Sequence, residues 1–255
     1  MEKQQNKERI KSIDKALDLL EFLSNNKNEA GISEISQRIN MGLSTVHRII
    51  TTLKSRGYII QNQKTLKYRL GIKLFELGCE VQNTKSLIKT IRPYLRRLSK
   101  MTKETANLAI LEDKEVIYLD TIESSETLRT GIIRGTRSVA HCTALGKVLL
   151  SFLSDRDFKR LYESDADVIT LTPHSISSLE ELENELKKVK NQGFATDQEE
   201  SMIGINCVGI PILNQNGEPL AAISITGPAS RFTVKKIEEA RNILLGVSKE
   251  MTDLF

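Results

Sequence analysis

The spacing of apolar residues predicts that the first third of the chain is helical. Isoleucine and leucine recur every three or four positions over residues 8–24 and again over Ile32–Ile39, which is the spacing of one face of an α-helix. The first of these helices is expected to bury Ile10, Ile13, Leu17, Leu20 and Leu23. A tight turn at Asn40-Met41-Gly42 follows the second helix and leads into a third.

The third helix, Leu43–Gly57, is the segment around which the N-terminal part of the chain is organised. Its apolar stripe consists of Val46, Ile49, Ile50 and Leu53. The opposite face carries hydroxyl groups, a histidine and cations, and the segment contains no acidic residue. Gly57 supplies the left-handed position that commonly ends a helix. Two short helices joined by a turn with glycine are typical of a helix-turn-helix, whose second helix enters the major groove of DNA.

A two-stranded hairpin is predicted after Gly57. The sequence YII, the polar turn QNQKT and the sequence KYRL form a pattern of strand, turn and strand. Placed after a helix-turn-helix, this hairpin is the wing of a winged helix domain, and it carries Lys64, Lys67 and Arg69 near the DNA phosphates. The order helix, helix, turn, helix and hairpin is more specific than any one of these elements alone.

A helix is expected to connect the DNA-binding domain to the rest of the chain. Helical spacing predicts this connecting helix over residues 72–90. Pro93 lacks a backbone amide and clashes with a preceding helical turn, so it is expected to open a new helix at 93–101. The predicted domains are residues 1–70, a connecting segment at 71–92, and residues 93–255.

From residue 105 the apolar residues alternate with a period close to two, which is typical of β-strands. The predicted strands are Thr105–Leu111, Val116–Ile122, Leu128–Ile133, Phe194–Asp197, Val208–Leu213 and Leu220–Thr226. The predicted helices are residues 144–153, 155–162, 179–192 and 234–252. Ser178 and Gly193 have the residue types that begin and end the third of these helices. Strands with inserted helices give an α+β fold around an antiparallel sheet flanked by helices.

The positive charge of the chain is concentrated in its N-terminal domain. Residues 1–70 hold 13 Lys and Arg against 7 Asp and Glu, a net charge of +6, and residues 71–255 hold 24 against 26, a net charge of −2. A basic domain joined to a near-neutral one indicates a polyanionic partner for the first domain alone. A solvated basic surface without a partner is the alternative that charge by itself leaves open.

Cysteine content and hydropathy argue against several other classes of protein. Cys79, Cys142 and Cys207 are widely spaced and odd in number, and no CxxC pair or Cys/His ligand spacing occurs, so neither a disulfide framework nor a zinc finger is indicated. No apolar run approaches the ~20 residues that span a bilayer. The charged N-terminus lacks the apolar core of a signal peptide. We expect a cytoplasmic protein with no membrane association and no cofactor.

The polar face of Leu43–Gly57 and the wing supply the candidate DNA contacts. The N-terminal end of a recognition helix reaches base edges, and the candidates there are Ser44, Thr45, His47 and Arg48. The candidates for phosphate contacts are Thr51, Thr52 and Lys54 on the helix and Lys64 and Lys67 on the wing. Arg48 can hold a guanine with two hydrogen bonds. The alternative for any one of these residues is a solvated position.

Several motifs spread over the whole chain carry a family resemblance. GISEISQRINMGLSTVHRIITTLKSRGYI is followed by KYRLGIKLFELG, and later by HCTALGKVLL, LEELENELKKVKNQGFATDQEESMIGINCVGIPI and AAISITGP. In this order they resemble the DNA-binding and effector-binding domains of the IclR family of bacterial transcriptional regulators. The resemblance implies a winged helix-turn-helix domain and a GAF-like C-terminal domain that binds a small molecule and joins subunits into dimers or tetramers.

The resemblance also implies which residues line the effector pocket. They are Thr143, Ala144, Leu145, Gly146, Asp197, Ile205, Cys207, Ser224 and Thr226. Free amides at the start of the helix after Cys142 suit a carboxylate, and Asp197 can accept a ligand hydroxyl. An ionised Asp197 repels a bare carboxylate, so the expected effector is a hydroxy- or oxo-acid with a polar far end. Ser224 and Thr226 have the alternative of bonding within a strand, and Cys207 that of a small buried side chain.

Two other functions are compatible with parts of the sequence. Cys142 beside His141, with Asp197 as a second acid, has the residue types of a Cys–His hydrolase, but adjacent residues rarely face each other. Cys142, Cys207, His141 and His174 are also the residue types of a metal- or redox-sensing site, although no two of them share a common ligand spacing. The sequence favours a homo-oligomeric, ligand-responsive transcription factor that binds a pseudo-palindromic operator in double-stranded DNA.

Overall fold

The computed structural model describes residues 10–25, 29–79, 81, 84–251 and 254. The chain divides into two compact units, Met1–Lys85 and Ser86–Phe255. Each unit has its own cluster or clusters of buried apolar side chains. None of the helices within the described ranges is both long and apolar enough to cross a membrane.

The N-terminal unit is a winged helix-turn-helix domain, as the sequence predicted. Its elements are α1 (Lys11–Asn25), α2 (Ile32–Arg38), α3 (Leu43–Ser55), β1 (Ile59–Gln61) and β2 (Tyr68–Leu70). The two strands pair antiparallel, and the hairpin over residues 59–70 is the wing. An isolated bridge pairs Ala30 with Tyr68, so the residue before Gly31 and α2 is held against β2 by two backbone hydrogen bonds.

Backbone conformations on either side of α3 fix its length. Asn40 adopts a left-handed conformation, with φ 51°, in the turn between α2 and α3. Gly57 has φ 78°, and the amides of Gly57 and Tyr58 donate to the carbonyl oxygens of Lys54 and Leu53. Glycine is favoured at such a position because a β-carbon disfavours the left-handed conformation. The predicted end of this helix is confirmed.

The core of the N-terminal unit lies between its helices and the wing. Its buried residues are Leu19, Leu23, Ala30, Ile35, Ile39, Val46, Ile50, Ile59 and Tyr68. The expectation for α1 is wrong in part, because Leu19 and Leu23 are buried while Ile10, Ile13 and Leu17 are more than half exposed. The helix carries two apolar stripes, and spacing alone does not determine which of them faces the core.

The structure also corrects the predicted connection to the second domain. A short helix, α4 (Lys73–Cys79), ends before the long α5 (Thr84–Thr102), and Pro93 lies inside α5 rather than at the start of a new helix. Pro93 removes one backbone hydrogen bond from the helix. The helix stays continuous because apolar side chains on both sides of Pro93 are buried in one stripe, namely Leu87, Ile91, Leu95 and Leu98.

The C-terminal unit is built on one six-stranded antiparallel sheet. Its strands are β3 (Thr105–Glu112), β4 (Glu115–Ile122), β5 (Arg137–Val139), β6 (Ala195–Gln198), β7 (Ile205–Leu213) and β8 (Pro219–Pro228), in the spatial order β5-β4-β3-β8-β7-β6. Residues 128–133 form no strand, contrary to the prediction, and β5 pairs with β4 instead. Leu128 and Ile133 are exposed, so their alternation does not mark a buried strand face.

Helices cover both faces of this sheet. They are α5 together with α6 (Ala144–Leu150), α7 (Asp155–Leu161), α8 (Leu179–Gln192) and α9 (Val234–Met251). The face that carries Leu108 and Ile223 packs against α5 and α9. The face that carries Ala109 and Ala222 packs against α6, α7 and α8. This arrangement confirms the predicted α+β fold class, and strand alternation assigns each strand residue to one of the two faces.

Candidate DNA-binding and effector-binding sites

The outward face of α3 presents a continuous set of polar side chains. Ser44, His47, Arg48, Thr51, Thr52 and Lys54 are exposed, and Thr45 is half-buried. Val46 and Ile50 point into the core from the opposite side of the helix. The candidate DNA contacts of α3 therefore share one surface, which is the arrangement that a helix lying in a groove requires.

Two threonines on this face form hydrogen bonds with the helix itself. The hydroxyl of Thr51 donates to the carbonyl oxygen of His47 at 2.8 Å, and that of Thr52 donates to the carbonyl oxygen of Arg48 at 3.0 Å. A hydroxyl bonded to the preceding turn keeps its lone pairs for another partner but not its proton. In this geometry the two threonines offer DNA only acceptors and methyl groups. Because phosphate oxygens need donors, these two side chains suit a phosphate less well than the sequence predicted.

A side-chain hydrogen bond joins α3 to the wing. Lys54 Nζ donates to Gln61 Oε1 at 3.0 Å, and Gln61 Nε2 donates to the carbonyl oxygen of Leu66 at 3.1 Å. Leu66 has a left-handed backbone, with φ 58°, at the return of the hairpin. The ammonium group of Lys54 keeps two further donors, so it can contact a phosphate while it holds the wing.

The loop of the wing is held in shape by Asn62 and Glu29. Asn62 Oδ1 accepts from the backbone amides of Lys64 and Thr65, and the carboxylate of Glu29 accepts from Asn62 Nδ2 at 2.8 Å and Thr65 Oγ1 at 2.9 Å. The hydrogen bonds from Asn62 and Thr65 lower the pKa of Glu29. Lys64 and Lys67 are exposed, so the wing presents two cations from a loop of fixed shape.

One face of the C-terminal sheet carries a cluster of buried polar side chains. Strand pairing places Asp197, Cys207 and Thr226 side by side on β6, β7 and β8. Ser224 lies two residues before Thr226 on the same side of β8, and Ile205 lies two residues before Cys207 on β7. The four polar side chains are no more than 5% exposed. The fold therefore brings together five of the residues that the resemblance assigns to the effector pocket.

The loop before α6 packs directly on this face of the sheet. A β-carbon placed at Gly209 would lie 3.3 Å from the amide nitrogen of Leu145, so the first turn of α6 rests on β7 where β7 has no side chain. Thr143 Oγ1 accepts from the amide of Gly146 at 3.0 Å and caps the helix. Among the described residues no acceptor bonds the amides of Ala144 and Leu145, so both buried amides have a donor that is not in use.

Asp197 has hydrogen-bond partners within its own loop. Its Oδ1 accepts from the backbone amides of Glu200 and Ser201 at 2.8 and 3.2 Å, and its Oδ2 accepts from Ser201 Oγ at 2.6 Å. Burial raises the pKa of this carboxyl group. Only one of its lone pairs is left for a ligand hydroxyl. Asp197 thus holds the turn after β6, and its capacity to bind a ligand is smaller than the sequence indicates.

A buried ion pair lies next to Asp197. Lys147 Nζ contacts Glu200 Oε1 at 2.6 Å and Oε2 at 2.7 Å, and the two side chains are 2% and 12% exposed. Burial raises the pKa of Glu200 against the attraction of Lys147. The pair lines a polar cavity of about 570 Å³ that is bounded by α8 and β6. None of the nine residues assigned to the effector pocket by resemblance lines this cavity, so it is a separate feature.

The Cys–His pair proposed from sequence as an alternative site is bonded elsewhere. His141 Nδ1 lies 3.1 Å from the Tyr162 hydroxyl, and its Nε2 lies 2.9 Å from the carbonyl oxygen of Ile169. The Cys142 thiol donates to the same carbonyl oxygen, and burial raises its pKa to about 11. A buried, protonated thiol is a poor nucleophile. In the described ranges no three His, Cys, Asp or Glu side chains are grouped as a metal site requires.

Asn107, which no sequence motif singles out, completes the polar cluster on the sheet. Asn107 lies opposite Ser224 on β3 and is fully buried, and its Nδ2 donates to Ser224 Oγ at 3.2 Å and Thr226 Oγ1 at 3.1 Å. The signal that could have revealed it is the alternation in TANLAIL, where Thr105 and Asn107 share one face of an otherwise apolar strand. Buried polar side chains of this kind need partners, which marks such a position as special.

Comparison with known proteins identifies the family. The model of the IclR helix-turn-helix domain matches residues 12–63, and the model of the bacterial transcriptional regulator IclR C-terminal domain matches residues 79–252. The chain belongs to the IclR family of bacterial transcriptional regulators. The IclR-family chain is therefore a transcriptional regulator with a DNA-binding helix-turn-helix domain and a C-terminal effector-binding domain, and the predicted family is confirmed.

Individual relatives agree with this assignment over nearly the whole chain. The HTH-type transcriptional regulator KdgR of Dickeya chrysanthemi is 35% identical over 96% of this chain and 79% of its own length. The crystal structure of Thermotoga maritima IclR superposes with a TM-score of 0.76 at 30% identity, over 95% of this chain and 98% of that one. An IclR homologue from Microbacterium hydrocarbonoxydans, solved in complex with 4-hydroxybenzoate, has the same fold with a TM-score of 0.81 at 20% identity, over 94% and 98% of the two chains.

Proposed function

We propose that this IclR-family regulator acts as a homo-oligomer that binds a pseudo-palindromic operator in double-stranded DNA and responds to a small hydroxy- or oxo-acid. Two copies of α3, one from each N-terminal unit, enter major grooves of the operator. The acid binds on the polar face of the C-terminal sheet and changes operator affinity. Such a response requires that the acid bind the DNA-bound and DNA-free arrangements with different affinity.

The chemistry of α3 and the wing supports the assignment of DNA contacts. Base contacts are assigned to Ser44, Thr45, His47 and Arg48, and phosphate contacts to Lys54, Lys64 and Lys67. Thr51 and Thr52, predicted from sequence to contact phosphates, are left with methyl groups and lone pairs for DNA in this geometry. The surface joins cations and hydroxyl groups, and α3 itself contains no acidic residue. Cations and donors of this kind complement phosphate oxygens and the acceptors of base edges.

An apolar groove on the N-terminal unit supports the assignment of a homo-oligomer. It is lined by Ile13, Leu17 and Leu20 of α1 and by Ile49 and Leu53 of α3, together with polar residues at its edge. Contiguous exposed apolar side chains with polar residues around them are a common feature of protein interfaces. Thr45, Arg48 and Thr52 line the other side of the groove, so a second copy of the same unit related by a two-fold axis would cover its α1 side and leave these α3 residues for DNA.

The donors on the C-terminal sheet support an acid as effector, and this observation carries the proposal. The unbonded amides of Ala144 and Leu145 rest on β7 at Gly209, and the hydroxyl of Ser224 lies on the next strand. This arrangement suits a carboxylate. The Microbacterium hydrocarbonoxydans homologue was solved with 4-hydroxybenzoate, which combines a carboxylate with a hydroxyl, and we propose the same combination of groups for the effector of this chain.

Operator binding measured against a panel of hydroxy- and oxo-acids tests the proposal. At least one acid should change the operator affinity of the wild type fivefold or more. Ser224→Ala should weaken that response about fivefold, since it removes one hydrogen bond to the ligand, and should leave acid-free operator affinity unchanged. Ser151→Ala is a matched control, because Ser151 is also buried but donates to Val148 within its own helix. Operator affinity that no acid changes would contradict the proposal.

A further inference from the structure

Two buried polar groups beside the proposed effector site have no partner. Within the described part of the chain, four buried side-chain oxygens lack a hydrogen bond: Asn107 Oδ1, Thr121 Oγ1, Thr130 Oγ1 and Asn206 Oδ1. Asn206 lies on the other face of the sheet, and Thr130 lies between β4 and β5. Asn107 and Thr121 are direct cross-strand neighbours on β3 and β4. Buried polar groups are normally paired, so two neighbouring oxygens with unused hydrogen-bonding capacity mark a place where a ligand oxygen can bind.

Asn107 and Thr121 continue a row of residues that begins under α6. Strand pairing places Gly209, Ser224, Asn107 and Thr121 side by side on β7, β8, β3 and β4. The amide of Leu145 lies over Gly209 at one end of the row. Neighbouring strands are about 4.8 Å apart, so Asn107 stands about 10 Å from that end and Thr121 about 14 Å from it. The row is long enough for an extended small molecule.

The amide of Asn107 offers one unpaired atom in either of its two orientations. When Nδ2 donates to Ser224 and Thr226, Oδ1 is free to accept from a ligand hydroxyl. When the amide is rotated, Oδ1 accepts from those two hydroxyls and Nδ2 is free to donate to a ligand oxygen. Thr121 Oγ1 can donate or accept. Both groups therefore suit a hydroxyl or oxo group, and neither suits an apolar end.

We propose that Asn107 and Thr121 bind the far end of the effector and thereby select its length. The inference rests on the proposed function, which places the carboxylate of the effector at the amides of Ala144 and Leu145. Asn107 and Thr121 lie two and three strand spacings from those amides, so with a hydrogen bond of about 2.9 Å at each end the second oxygen function stands about 4 to 9 Å from the carboxylate. A six-carbon hydroxy acid, or a ring with a carboxylate and a hydroxyl on opposite sides, spans this distance. An acid of two or three carbons does not.

Binding of matched pairs of acids to the full-length protein tests this selection. Calorimetric titration compares 4-hydroxybenzoate with benzoate and gluconate with lactate. The wild type should bind the first member of at least one pair about tenfold more tightly, because the second leaves Asn107 and Thr121 unpaired. Asn107→Ala and Thr121→Val should each remove most of this preference while the affinity for the second member stays the same.

Asn206→Ala is the matched control for these variants. Asn206 also has a buried, unpaired oxygen, but on the opposite face of the sheet, so its loss should leave the preference unchanged. Thermal unfolding shows which variants fold. If Asn107→Ala does not fold, Thr121→Val still tests the inference, because valine has the same shape as threonine. Equal binding within both pairs by the wild type, or an unchanged preference in the folded variants, overturns the inference.

The proposed function and this inference fail in distinguishable ways. If none of these acids binds the wild type, both are overturned. Suppose that the acids bind and that Ser224→Ala lowers the affinity for them, but that Asn107→Ala and Thr121→Val do not alter the preference for the longer member of a pair. Only the inference is then overturned. In that case the carboxylate site stands and the far end of the effector lies elsewhere on the sheet.

Discussion

The side chains of α3 differ in how many hydrogen bonds they have left for DNA. The hydroxyl protons of Thr51 and Thr52 are bonded to the preceding turn of the helix. The guanidinium of Arg48 is exposed, and in the part of the chain that the structure describes it forms no ion pair or hydrogen bond. Because a guanidinium can donate two parallel bonds to a guanine, base recognition on this face should depend more on Arg48 than on the threonines.

Arg48→Ala is expected to weaken operator binding by about 1–3 kcal/mol and to relax specificity at one base pair, because a bidentate contact to a base would be lost. Fluorescence anisotropy with the operator and with a scrambled duplex measures both effects. Arg56→Ala is the matched control, since Arg56 follows the other end of α3. An equal loss on the two duplexes would show that Arg48 contacts only the backbone.

The structure changes the role of Asp197 more than that of any other candidate residue. The family motif predicts a ligand contact at this position, and the residue does lie on the polar face of the sheet. Its partners, however, are the amides of Glu200 and Ser201, which point at the carboxylate only because of the turn after β6. The direction of a backbone amide depends on loop conformation, so a sequence motif could identify the residue but not how much of its bonding capacity is in use.

At the scale of elements, apolar spacing predicted the order of the helices and most strands correctly, but not their faces or all of their ends. In α1 it predicted Ile13 and Leu17 as core, because a helix with two apolar stripes does not reveal which one is covered. In α5 it predicted a break at Pro93, because the burial that offsets the lost hydrogen bond comes from strands distant in sequence. Both errors come from tertiary packing, which local patterns do not contain.

Helix α5 is also tied to the sheet by charge. Asp120 on β4 is fully buried and contacts Arg92 of α5 at 3.0 Å and Arg134 at 2.7 Å. The pairing lies on the face of the sheet opposite to Thr121, the next residue along β4. A fully buried carboxylate needs a cation or several donors, and the two arginines supply them to Asp120.

A double-mutant cycle on these arginines should be strongly non-additive. Arg92→Met or Arg134→Met alone leaves Asp120 with one cation, whereas both together leave it with the Thr121 amide but no cation and should lower the free energy of unfolding by about 3–5 kcal/mol. Chemical denaturation of the four proteins measures the cycle. Arg97→Met on the same helix is the control, because its pair with Glu250 is exposed and should contribute less than about 1 kcal/mol. If the double variant lost only the sum of two small single losses in unfolding free energy, the joint pairing of Arg92 and Arg134 with Asp120 would be contradicted.

At the scale of the whole molecule, the division of charge between the two parts of the chain was readable from sequence, whereas the row of polar residues across the C-terminal sheet was not. Net charge depends only on composition, and residues 1–70 carry +6 while the rest carries −2. The row Ser224, Asn107 and Thr121 depends on the spatial order β8-β3-β4, in which strands far apart in sequence become neighbours. Hydrophobic alternation predicts strands but not their order in a sheet.

The basic N-terminal unit should make operator binding depend steeply on salt. Each phosphate that a lysine neutralises contributes about 0.9 to the slope of log K against log salt concentration. Lys64→Ala and Lys67→Ala should therefore each reduce that slope by about one, with similar losses on specific and non-specific DNA. Titrations between low and moderate salt measure the slope. Lys188→Ala, in α8 of the C-terminal unit, is the control and should leave the slope unchanged. If Lys64→Ala and Lys67→Ala also leave the slope unchanged, the wing does not contact the DNA phosphates.

The bridge between Ala30 and Tyr68 closes α2, α3 and most of the wing into one loop of chain. Closing a loop costs conformational entropy, and the contacts within α2 and α3 alone recover little of it. Tyr68 also lies in the core and pairs with Gln61, so the last strand of the wing completes the packing around the first helices. We therefore expect α3 and the wing to unfold together, so that a change that loosens β2 also destabilises α3.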